Sequence, residues 1–97
     1  MRLSRQQVQS ILDIVHSVAG TESRTLLFGS RLDDGARGGD IDLLVESEDD
    51  LSPLQRASLK LAIEARIGLP ADVLSIKRGD PPTAFQQIAL AKGVELS

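Results

Sequence analysis

Two aspartates two residues apart, Asp40 and Asp42, stand at the head of the apolar run Leu43-Leu44-Val45. A short apolar run of this kind reads as a strand entering a core, and Asp is depleted in strands. In extended backbone, residues i and i+2 point to the same face. Their Cα atoms would lie roughly 6.5–7 Å apart, from a rise of about 3.3 Å per residue. Two carboxylates on one face repel each other unless a cation lies between them. Mg²⁺ accepts one or two protein carboxylates and completes its shell with water and substrate phosphates. The pattern therefore points to a buried strand whose exposed end holds a metal–triphosphate site.

Upstream, the apolar run Thr25-Leu26-Leu27-Phe28 ends in the small-residue turn Gly29-Ser30, with nine residues between Ser30 and Asp40. Glycine lets a backbone approach an anion closely, and successive N–H groups can cradle a phosphate. The Ser30 hydroxyl can donate to a phosphate oxygen. A short helix at residues 31–34 would aim its N-terminus at the same anion. Arg31 and Arg37 are the nearest cations, and either can neutralise phosphate charge. Other polar residues read as structural. His16, the only histidine, belongs to a helix surface, and Glu48-Asp49-Asp50 forms a solvated loop. Neither a P-loop nor a dinucleotide-binding glycine pattern is present.

The rest of the chain alternates helix and strand. Ser4 and Gln7 form a capping-box pattern, and Val8, Ile11, Leu12, Val15 and Val18 recur at helical spacing up to Gly20. This predicts a helix over residues 5–19. Strands are expected at 24–28, 40–46 and 71–76. Ser52 as N-cap with Pro53 at the first position starts a helix over 53–67, which Gly68 and Pro70 end. Asp80-Pro81-Pro82 breaks the chain. Thr83 and Gln86 then open a last helix with another capping box, and Gly93 closes it before an edge strand at 94–96. The expected class is α+β, a small mixed sheet with helices packed against it, in a single domain over residues 1–97.

Composition narrows the function classes. The net charge of −3 disfavours broad nucleic-acid binding. The only aromatics are Phe28 and Phe85, both expected at core positions, which leaves no platform for stacking a nucleic-acid strand. No apolar run approaches the ~20 residues that span a bilayer. Cysteine is absent, which excludes a thiol nucleophile, a zinc–thiolate site and disulfides. With no apolar stretch of a signal peptide in the first nine residues, a cytoplasmic protein is expected.

Gly29-Ser30, the nine-residue spacing and Gly39-Asp40-Ile41-Asp42-Leu43-Leu44-Val45 together resemble the signature of the polymerase-β-like nucleotidyltransferase superfamily, in its minimal single-domain branch. The resemblance extends over about residues 5–92. It implies a nucleotidyltransferase fold and transfer of a nucleoside monophosphate, with AMP foremost, from an NTP to a hydroxyl. It also implies a third acid at the head of a later strand, a position occupied by Asp72; Asp80, in a loop before Pro-Pro, fits less well. Two Mg²⁺ ions would be held by Asp40, Asp42 and Asp72, with the triphosphate of an NTP such as ATP at Gly29, Ser30, Arg31 and Arg37.

Minimal members of this kind commonly pair with a helical HEPN-type protein as a toxin–antitoxin couple, the transferase being the antitoxin. Larger members add a domain that grips the acceptor, for which 97 residues leave no length. A partner is therefore expected to dock on an exposed patch of the 53–67 or the C-terminal helix, where self-association is also possible. Asp33-Asp34 occupies the loop where polymerase members tend to carry basic residues, which argues against a polymerase role. The alternative is a non-catalytic module of the same fold that neutralises or scaffolds a helical partner by contact alone. A small Mg²⁺-dependent hydrolase would leave the Gly-Ser to Asp spacing unexplained.

Overall fold

The computed structural model describes residues 3–29 and 40–97. Its elements follow in the order α1 (Arg5–Ala19), β1 (Arg24–Phe28), β2 (Ile41–Ser47), α2 (Pro53–Ile67), β3 (Ala71–Lys77), α3 (Ala84–Lys92) and β4 (Val94–Glu95). The four strands form one mixed sheet ordered β3-β2-β1-β4. β1 pairs antiparallel with both β2 and β4, whereas β2 and β3 run parallel, joined by α2. The α+β class expected from the sequence is the one observed.

Each helix starts where its cap dictates. Ser4 accepts from the Gln7 N–H at 3.1 Å, and the Gln7 side chain accepts from the Ser4 N–H at 2.9 Å. The same reciprocal pair closes at Thr83 and Gln86. Ser52 also forms a full box, with Gln55, beyond the Ser-Pro signal read from the sequence. Two otherwise orphaned backbone donors are satisfied at each helix start.

The sheet buries both faces. On one side Leu27, Ile41, Leu43 and Val45 pack with Ile11 and Val15 of α1 and Leu59 and Ile63 of α2. On the other, Leu26, Leu44 and Ile76 pack with Ala89 of α3, joined by Phe28, Leu74 and Leu90. Each fully buried Leu or Ile contributes roughly 1.5–3 kcal/mol. β2 is covered on both sides, as is β1, so Leu43-Leu44-Val45 is a continuous run rather than an alternation. β2 starts at Ile41, leaving Asp40 one residue before the ladder. The Ile41 N–H donates to the Pro70 carbonyl at 2.8 Å, which sets the register of β2 against β3 at the end where the acids lie. Among the described residues, no helix is long and apolar enough to cross a membrane.

Candidate metal and nucleotide site

Asp42 and Asp72 are cross-strand partners in the parallel β2–β3 ladder. Because both alternate with core-facing residues (Ile41 and Leu43, Ala71 and Val73), their side chains share the α3 face of the sheet. Asp40, exposed, stands two residues before Asp42 at the open end of β2. Asp42 is half-buried, and its carboxyl is held above the usual carboxylate range. Burial is the main cause, followed by the negative charges of Asp72 and then Asp40. The acids expected to act together thus lie close enough to feel one another's charge.

Gly29 completes this end of the site. Phe28 pairs with Asp42 across the β1–β2 ladder, and Gly29 follows it with φ of +82°. A Cβ added at Gly29 would come within 2.3 Å of Asp42 Oδ2. The carboxylate lies directly over the glycine.

Two cations that sequence reasoning missed stand beside the acids. Lys60 of α2 approaches Asp72 Oδ1 at 3.8 Å, lies 3.1 Å from Glu64, and donates to the Ala71 carbonyl. Glu64 in turn accepts from the Ala71 N–H at 2.8 Å. Its carboxyl sits below the usual range, chiefly through that backbone bond and then through Lys60. The pair therefore pins the head of β3, one residue from Asp72. An i,i+4 Lys–Glu pair on a helix is visible in a sequence, but its reach to a strand is not. Lys92, in the last turn of α3, lines a cavity together with Gly29 and Asp42.

Other expectations fall differently. Ser30, Arg31 and Arg37 lie outside the described residues, as does the helix expected at 31–34. Asp80 follows the far end of β3, where its N–H donates to the Lys77 carbonyl, so it is remote from Asp72. His16 sits on α1, which covers the opposite face of the sheet. Phe85 corrects a core expectation: it is 57% exposed, because α3 buries only Ala89 fully.

The donor set is three carboxylates, the hard oxygen ligands that suit Mg²⁺, and two of them are held in register by backbone hydrogen bonds. As the side chains stand, no three acidic or imidazole groups among the described residues converge tightly enough to ligate one ion. Asp72 is 66% exposed and oriented toward Lys60, so joint ligation requires it to turn. An exposed side chain on a fixed backbone makes that turn within picoseconds to nanoseconds.

The four-stranded mixed sheet with three helices is the fold of solved minimal nucleotidyltransferase (MNT) proteins. The chain is similar to the MNT antitoxin solved in complex with tri-AMPylated HEPN toxin of Shewanella oneidensis, with 19% identity, a TM-score of 0.77, and 98% of this chain and 72% of that one covered. The MntA–HepT toxin–antitoxin structure aligns at a TM-score of 0.76 and 19% identity over 97% of this chain and 72% of that one. A further Shewanella oneidensis structure gives 0.69 and 16% over the same shares. No protein-family model and no curated protein matches the sequence.

Proposed function

We propose that this chain is a Mg²⁺-dependent nucleotidyltransferase that moves AMP from ATP to a hydroxyl of a helical HEPN-type protein, acting as the antitoxin of the pair. The carrying observation is the in-register pairing of Asp42 with Asp72, with Asp40 beside them, at the open end of a nucleotidyltransferase sheet. Support for the partner and the transferred group comes from the similar fold of an antitoxin solved with a tri-AMPylated toxin.

In this reading Asp40, Asp42 and Asp72 hold the metal, and Gly29 and Ser30 receive the triphosphate with Arg31 and Arg37 nearby. When bound there, Mg²⁺ neutralises the triphosphate and lowers the pKa of the acceptor hydroxyl. The acceptor oxygen bonds to the α-phosphorus, the bond to the bridging oxygen breaks, and pyrophosphate leaves. Asp72, the more exposed acid, faces the incoming acceptor and takes its proton. Lys60 and Glu64 position Asp72 by fixing the backbone at Ala71. Catalysis then comes mainly from positioning and electrostatics, as in phosphoryl transfer generally.

A second reading, neutralisation of the partner by contact alone, is favoured by one observation: the three carboxylates do not converge as they stand. One experiment separates the two. The chain and a HEPN-type partner are incubated with α-³²P-ATP and Mg²⁺. Transfer predicts label on the partner that Asp40→Asn with Asp42→Asn removes. Absence of label, with the partner still bound and neutralised by that variant, selects the contact module.

A further inference from the structure

Both aromatic residues of this chain border one cavity, and that cavity opens onto Asp42. It has a volume of about 390 Å³ and is lined by Phe28, Phe85, Ile88 and Lys92 together with Gly29 and Asp42. Two larger cavities, of about 600 Å³ at the α1–β4 edge and about 580 Å³ between α1 and α2, and one of about 360 Å³ beside the 48–50 loop touch none of the candidate site residues. The volume of the cavity at Asp42 falls within the range of about 300–1,000 Å³ typical of small-molecule sites, and the lining has their usual character, apolar walls with a few convergent polar groups.

The two rings touch at the wall of the cavity. Phe28 and Phe85 meet edge to face, with centroids 5.8 Å apart and planes at 74°. Phe28 is held against the core by its strand. Phe85 makes this contact while 57% exposed, as is Ile88 three residues on, one helical turn away. Two large apolar side chains left open beside an acidic phosphate-transfer centre match the flat apolar end of a nucleotide. The cavity is continuous with Gly29 and Asp42, so a nucleotide with its phosphates there has space in it for the ribose and base. Lys92 adds a positive charge to the wall, suited to phosphate oxygens.

We propose that this cavity is the nucleoside subsite, with the base stacked on Phe85 beside Ile88. The assignment presupposes the transferase reading and extends it to a residue that carries none of the chemistry. Calorimetry of the full chain with Mg²⁺ tests it, using ATP and inorganic tripolyphosphate as separate titrants. Phe85→Ala should weaken ATP by about 5- to 150-fold, the range of base–aromatic stacking, and leave tripolyphosphate unchanged. Phe85→Tyr, which keeps the ring, should restore ATP affinity and controls for folding. Equal weakening of both titrants, or of neither, overturns the subsite while leaving the transferase reading intact. Unchanged ATP affinity with loss of a helical partner overturns it in favour of a protein contact. Failure of the wild-type chain to bind ATP removes both the subsite and the reading beneath it.

Discussion

The Asp42 carboxylate lies over the Cα of Gly29, so closely that a methyl group there would stand 2.3 Å from Oδ2. Glycine is required at this position twice over, by its φ of +82° and by the carboxylate, before any ligand is considered. Gly29→Ala should therefore cost about 1–2 kcal/mol for the left-handed backbone and also displace Asp42. Gly68→Ala is the control: its φ is likewise +82°, with nothing within 4 Å of the added Cβ. Both variants should lose stability by thermal melting, Gly29→Ala at least as much as Gly68→Ala, and only Gly29→Ala should lose Mg²⁺-dependent ATP binding. Equal retention of binding in the two would separate Gly29 from the site.

Much of this arrangement was legible beforehand, and the reasons are local. Capping boxes at Ser4 and Thr83 and the Ser52-Pro53 start fixed helix boundaries, because caps are written within four residues of sequence. The Asp40-x-Asp42 pattern marked the strand end, because alternation decides which side chains share a face. The family resemblance points to Asp72 as the third acid, but its pairing with Asp42 across the ladder is a matter of register between β2 and β3. Register is held by the whole β2–β3 ladder, with the Ile41–Pro70 hydrogen bond at its head, and no spacing within either strand encodes it. Lys60 and Lys92 were missed for the same reason: each meets the acidic end of the sheet from another element. Phe85 was read as core because apolar residues recur along α3, but a nine-residue helix seated by Ala89 cannot bury all of them.

Two carboxylates should give stability profiles of opposite sign. Asp42 has a folded pKa raised above its ordinary 3.8, so its ionised form opposes folding. That penalty is present at neutral pH and is relieved as pH falls through the raised value toward 3.8. Asp42→Asn, alone or with Asp40→Asn, should thus keep or raise the melting temperature at pH 7, with the difference closing on acidification. Glu64 has a folded pKa lowered below 4.5. Its contribution is complete above 4.5 and is lost as pH falls through the lowered value, so Glu64→Gln should melt below wild type at pH 7 and converge with it in acid. Melting curves from pH 7 to 3 check both. A clear loss of stability in Asp42→Asn at neutral pH would make that acid a structural residue.

Of the two helices offered for partner docking, α2 carries the longer exposed apolar stripe. Leu54 and Leu61, seven residues apart and so on one helical face, are 77% and 65% exposed. Exposed Ala57 and Ala65 extend the same stripe. Small and apolar residues in line suit close packing against another helix. Leu54→Glu with Leu61→Glu should leave stability within about 0.5 kcal/mol per substitution, as at ordinary surface positions, and should abolish co-elution with a helical partner in size-exclusion chromatography. Undiminished co-elution would move the interface off α2.

Acceptor labelling should depend on that docking. In the proposed reading the nucleotide occupies the cavity beside Asp42 and the acceptor arrives at Asp72. The Asp72 side chain is 66% exposed, and in that reading the protein being modified orients the hydroxyl. The isolated chain with ATP and Mg²⁺ should accordingly label small hydroxyl compounds far more slowly than the ~1 s⁻¹ at which ordinary enzymes begin. Adding the partner should give labelling that Asp72→Asn eliminates and that the Leu54→Glu, Leu61→Glu variant reduces in proportion to its lost binding. Turnover on a small hydroxyl compound at ~1 s⁻¹ or faster without any partner would make the chain a free-standing enzyme and end the partner-dependent account.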